Sequence, residues 1–254
     1  MALLAGCGSS SHTGGPASSA AGPAAAAAST TESAPLTTAA PAAPQQSPLL
    51  AGNAHPSFPQ GQPGQVTVVY QAPIVPNETG TAVPIVIRNN TSKGVAHGDI
   101  SASAADPTGK IVASGSSQGT DPSVIQPGQW SLAFIHFSSG TAVAAGDKMT
   151  FSVKTSPADT SSYNTAAIQV TQANLSGTSI AGGVQNTTGH DVQGPISVNS
   201  FCFDASGNPT YTQGGFTSGS GSGDLAAGAT DSFQVDFYTQ QCPSFLVGAS
   251  GYYK

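Results

Sequence analysis

Gly115-Ser116-Ser117-Gln118-Gly119 has the G-x-S-x-G spelling of a nucleophile elbow, which would place a serine for acyl transfer. That motif acts on a tight turn from a strand into a helix, which exposes the serine and builds an oxyanion hole. Here it falls in a Ser/Gly-rich stretch between β-type segments with no helical pattern after it, so a loop is expected. Gly219-Ser220-Gly221-Ser222-Gly223 is glycine-rich but lacks the lysine of a phosphate-binding loop. Asp99, Asp106, Asp191 and Asp204 stand at or near turns, where an aspartate side chain bonds nearby backbone N–H groups without any catalytic role. His97, His136 and His190 share no close spacing, and Cys202 and Cys242 with His190 do not complete a zinc ligand set. The expectation is therefore no catalytic residue, no metal site and no cofactor. Instead, Cys202 and Cys242 are expected to form a disulfide, in preference to two free thiols, which also implies an oxidising compartment.

Charge narrows the classes further. Only 7% of the 254 residues are charged, against about 25% in an average globular domain, so Ser, Thr, Asn and Gln must supply most of the polar surface. The net charge is -6, and Arg88 is the only arginine. Lys93, Lys110, Lys148 and Lys154 are too scattered to displace counterions from phosphates, so nucleic acid is excluded as a partner. The sequence also has no run of eighteen apolar residues of the kind a membrane-spanning helix needs.

The first residues read Met1-Ala2-Leu3-Leu4-Ala5-Gly6-Cys7. Leu4-Ala5-Gly6-Cys7 resembles the lipobox of bacterial lipoproteins. The resemblance implies a diacylglycerol on Cys7, a membrane partner through that lipid, and a place on the outer face of the bacterial plasma membrane. Two or three acyl chains on one residue hold a protein firmly where one does not. A basic n-region and an apolar h-region should precede a lipobox, and the expectation is that the true start lies upstream of Met1. From Gly8 to Pro63 the chain is almost entirely Ala, Ser, Thr, Pro, Gly and Gln. Such a stretch buries too little surface to offset its ordering entropy, and 8–63 is expected to be a disordered tether spanning roughly 40 Å.

After Gly64 the texture changes to β-branched alternation punctuated by Gly, Pro, Asn and Asp. Strands are expected at 66–70, 82–87, 99–103, 110–113, 130–137 and 149–153, with no helical period anywhere. The pattern then repeats. Asn90-Thr91 followed by Ile100 has the spacing of Asn186-Thr187 followed by Ile196, Asp106-x-x-Gly109 recurs as Asp204-x-x-Gly207, and Gly128 recurs as Gly228. Offsets of 96, 98 and 100 predict two tandem domains, 64–160 and 161–254. Val184-Gln185-Asn186-Thr187, Phe203-Asp204, Gly207 and Gly228 in the second, and Asn90-Thr91, Asp106, Gly109 and Pro127-Gly128 in the first, resemble the FxLYD family of exported prokaryotic proteins. The resemblance implies an all-β chain of two tandem immunoglobulin-like β-sandwich domains; the family brings no settled activity.

One strand has no wet face. In 130–137, Ala133, Ile135 and Phe137 share one side, and Trp130, Leu132 and Phe134 the other. A strand apolar on both faces must be covered twice. The second cover is the Ser/Gly-rich loop, the second domain or a partner protein, and Trp130, Leu132 and Phe134 are the candidate binding anchors. Tyr252-Tyr253 either edges a glycan groove by stacking or packs as a last strand. The sequence thus predicts a non-catalytic binding or protein-interaction module of the cell envelope, with an envelope protein or cell wall as partner. Capture of wall glycan or a small solute is the first alternative, and an accessory role to an envelope enzyme the second.

Overall fold

Among the described residues thirteen strands, all paired antiparallel, make up the regular structure, and no helix forms. The computed structural model describes residues 46–254 apart from 78–79, 139, 141–142, 162–163, 220–222 and 239. Cys7 and the stretch 8–45 lie outside the described residues.

The first sheet contains β2 (Val66–Gln71), β3 (Thr81–Asn89), β4 (Val95–Ala105), β5 (Ile111–Ser117), β6 (Trp130–Phe137) and β7 (Lys148–Pro157), in the order β2-β3-β6-β5-β4-β7. The second contains β8 (Thr165–Ser176), β9 (Ser179–Gln185), β10 (Val192–Phe203), β11 (Pro209–Phe216), β12 (Thr230–Asp236) and β13 (Phe245–Tyr253), in the order β11-β10-β13-β8-β9-β12. A two-residue strand, β1 (Ala51–Gly52), is added to the edge of β13.

The two sheets follow one pairing scheme. First strand pairs with second, second with fifth, third with fourth, and third with sixth in both. The fourth and fifth meet through Ser116↔His136 and Ser117↔Ile135 in the first sheet and through the single bridge Thr217↔Phe233 in the second. They differ at one seam. In the second sheet β8 is twelve residues long and bends at a bulge between Val170 and Gln172. Its first half pairs with β13 and its second half with β9, which nearly closes a barrel. Its counterpart β2 has only six residues and no ladder to β7 among the described residues, leaving a half-barrel. The chain just before β2 carries Pro59 and Pro63, which cannot donate to a ladder.

The same side chains hold the same turn in both repeats. Buried Asn186 donates from Nδ2 to the carbonyls of His190 and Leu225, each at 2.8 Å, and its Oδ1 accepts from the Thr188 N–H and hydroxyl. Buried Asn89 does the same with Lys93, Ile125 and Thr91. The equivalent of Asn186 is therefore Asn89, offset by 97, and not Asn90, the residue that the sequence spacing pairs with it. Two adjacent asparagines conceal a one-residue slip that only the inward pointing side chain resolves. Asp106 and Asp204 cap matched turns, each accepting backbone N–H groups two and four residues ahead; the Thr108 hydroxyl, with those N–H groups, holds the Asp106 carboxyl below the usual range, and the Asn208 N–H chiefly does so for Asp204.

Residues 46–63 are built into the fold, which corrects the expected tether boundary at Pro63. Residues 46–63 form a strap across both sheets. The Leu49 carbonyl accepts from the Val170 N–H at 3.0 Å, and Asn53 and Ala54 both donate to the Phe245 carbonyl at 3.1 Å. At Gly52 the strap crosses so close to β13 that a Cβ would stand 2.2 Å from the Phe245 oxygen, and only glycine fits. Further on, the buried Arg88 donates from Nη1 to the Pro59 carbonyl at 3.1 Å, and Asn90 donates to the carbonyls of Gln60 and Gln62. Leu50, Ala54 and Phe58 are buried, and these few apolar anchors supply the burial that composition alone did not reveal.

Candidate functional site

Each barrel has its own interior, and a third apolar cluster lies between them. Alternation along the strands decides which side chains go where. On β10, Val198 and Cys202 point into the second barrel, whereas Phe201 and Phe203 point out of it toward the first. On β6, Ala133, Ile135 and Phe137 fill the first barrel, while Trp130 and Leu132 point out toward the second. Val86 and Leu246 complete the contact, and the strap seals it with Leu50, Ala54 and Phe58. The Phe58 ring stands edge-on to Trp130 at 5.1 Å. Both barrels belong to one compact unit.

These contacts place the sequence-derived anchors. Trp130 is 1% exposed and Leu132 fully buried, so neither is presented to an external partner. What covers this face is the second barrel and the strap. Phe134, two residues on, is half-buried and lies where the two barrels part.

Beyond the third cluster a cleft of about 510 Å³ opens between the barrels. Its second-barrel wall follows from cross-strand neighbours. Thr212, Phe201 and Leu246 form one row across β11, β10 and β13, followed by Gly214, Asn199 and Gly248, then Phe216, Ser197 and Ser250. Phe201 and Leu246 of the first row dock against the first barrel; in the next two rows Gly214, Asn199, Gly248, Ser197 and Ser250 are small or polar and leave room beside Phe216. Phe216 is 57% exposed and Tyr252 is 49% exposed, and both line the cleft. Facing them from the first barrel are Phe134 and Gln118.

Asp121 ties the two walls together at the base. Its backbone exchanges both hydrogen bonds with Leu132, at 2.7 and 2.8 Å, and its Oδ2 accepts from Asn199 Nδ2 of the other barrel at 2.8 Å. The side chain packs against β13 where Gly248 leaves space, since a Cβ there would meet the Asp121 Cβ at 2.5 Å. Oδ1 is buried and has no hydrogen-bond partner among the described residues. Desolvation pushes the carboxyl up from 3.8 to about 7, opposed only by the Asn199 bond. Asp121 is the one carboxyl group among the residues lining the cleft.

The remaining candidates lie apart from this cleft or are tied down. Ser117 is on β5, its Oγ donating to the Gly98 carbonyl at 3.4 Å and accepting from the Ile100 N–H at 3.1 Å. No helix follows it, so the geometry of a nucleophile elbow is missing. Among the described residues no three His, Cys, Asp or Glu side chains group as metal ligands would. Cys202 and Cys242 are joined, as expected, with Cα atoms 5.1 Å apart, which fastens the end of β10 to the loop before β13. Because this bond closes a loop of forty residues, its removal is expected to cost about 3–4 kcal/mol. Denaturant titration of a Cys202→Ala/Cys242→Ala double variant against the oxidised protein checks that figure. Of the terminal pair, Tyr253 packs in the barrel with His190 edge-on at 5.9 Å, and Tyr252 faces the cleft.

Asp121, Asn199 and Phe216 escaped the sequence reading. They come from separate segments with no fixed spacing, and only the docking of the barrels brings them together. Gly214-Gly215-Phe216, a large aromatic beside two residues without side chains, was the one local sign. Comparison with known proteins returned no matching family model, curated protein or solved structure.

Proposed function

We propose that this chain is a non-catalytic binding module of the bacterial cell envelope, made of two immunoglobulin-like, FxLYD-like sandwiches and held to the membrane by a lipid on Cys7. The observation that carries the reading is the cleft between the barrels. Its walls are fixed by a shared apolar cluster, a strap and the Asp121–Asn199 bond, and its rim exposes two aromatic rings. Ligand sites favour such concave positions between structural units, with apolar surface and a few convergent polar groups. The disulfide agrees with export, and the Ala/Pro/Ser/Thr-rich sequence after Cys7 serves as a spacer from the membrane.

Envelope extract passed over the immobilised full-length protein tests this reading. Components retained by the parent protein should be lost by a Phe216→Ala/Tyr252→Ala variant that melts at the same temperature. Equal retention by both proteins would refute the cleft as the binding site. Metabolic labelling with a fatty acid should mark the parent protein and leave Cys7→Ser unlabelled.

A further inference from the structure

The chemistry of the cleft also limits what it can hold. No lysine or arginine lines it, so an anionic ligand would find no countercharge. The one carboxyl at its base is buried and already bonded to Asn199. The other polar side chains that line it carry amides and hydroxyls: Gln118, Ser197, Asn199, Thr212, Gln213 and Tyr252. Groups of this kind donate and accept, as ring hydroxyls do. Gly214 keeps Asn199 Oδ1 open, since a Cβ at 214 would stand 2.8 Å from that oxygen. Around these groups stand Phe134, Phe216 and Tyr252, whose flat apolar faces suit the C–H face of a sugar ring.

We infer that the cleft between the barrels binds a short stretch of uncharged oligosaccharide, with ring faces stacked on Phe216 and Tyr252 and hydroxyls bonded to Asn199 and Gln118. The inference rests on the binding-module reading and narrows it to a ligand class. The test is calorimetric titration of the full-length protein with chitotetraose, cellotetraose and maltotetraose, and with a sulfated oligosaccharide as the charged comparison. At least one neutral tetrasaccharide should bind saturably and the sulfated one should not. Phe216→Ala and Tyr252→Ala should each weaken binding roughly tenfold, the scale of a lost ring contact. Gly214→Ala, which crowds Asn199 Oδ1 and leaves both rings in place, should weaken it as well. If no neutral tetrasaccharide binds while the aromatic double variant still loses its envelope components, the ligand class is wrong and the cleft stands. If a tetrasaccharide binds and none of the three variants weakens it, the sugar site lies elsewhere and the inference falls.

Discussion

Trp130→Ala is expected to destabilise the protein by about 3–5 kcal/mol and to loosen one barrel from the other. The indole is 1% exposed and packs against Phe58 of the strap in the cluster that also holds Phe201, Phe203 and Leu246 of the second barrel. Truncation leaves a cavity between two sheets that are pinned by their own ladders and cannot close over it. The strap should fray first, because Phe58 loses its edge-on contact with the indole. Guanidinium titration should show the lowered midpoint, and limited proteolysis should cut near residues 53–60 faster than in the parent. A loss under about 1 kcal/mol with an unchanged cleavage pattern would mean that the third cluster does not join the barrels. The result also changes how a binding assay with Trp130→Ala should be interpreted: ligand would be lost because the cleft walls separate, with no contact from the indole itself.

Stability is expected to fall as pH rises from 4 to 8. The Asp121 carboxyl titrates at about 7 in the folded protein and near its ordinary 3.8 when unfolded. Below 3.8 both states hold the proton and the group adds no pH dependence. Between 3.8 and 7 the folded state keeps a proton that the unfolded chain has released, so each rise in pH favours unfolding. Above 7 both are ionised and the loss is complete, up to roughly 4 kcal/mol. Asp106, Asp204, Asp224 and Asp236 act in the opposite sense, since hydrogen bonds lower their carboxyls, but they do so only in more acidic solution. Asp121→Asn keeps an acceptor for Asn199 and removes the titration. Melting temperatures at pH 5 and pH 8 should therefore differ markedly in the parent and little in the variant. An equal pH slope in both proteins would show that the carboxyl is not buried as described.

The all-β class and the disulfide were legible because each leaves a local mark. Period-two alternation between Gly, Pro and Asn turns identifies strands without reference to the rest of the chain, and the two cysteines of the second half had no better use than each other. The strap was not legible: Leu50 and Phe58 are two anchors in a stretch of Pro, Gly, Gln and Ser whose composition signals disorder, and their burial depends on a surface built from β6, β10 and β13. Trp130 gave half of its meaning. A strand apolar on both faces announced a covered surface but not what covers it, because period-two patterning does not record whether the cover is the same chain. The cleft left still less trace. Asn199 reads as a polar residue alternating along a strand and Asp121 as a turn aspartate before proline, and neither suggests that they bond across two barrels.

The most direct test of the cleft as the binding site is photo-cross-linking on intact cells, with a photoreactive amino acid at position 216 or 252 of the full-length protein. The same residue at 238, where Tyr238 is 76% exposed away from the cleft lining, serves as the comparison. Adducts with envelope material from 216 and 252, in excess of those from 238, are the predicted result. Adducts from 238 with none from 216 or 252 would contradict it and place the binding surface on another face of the molecule.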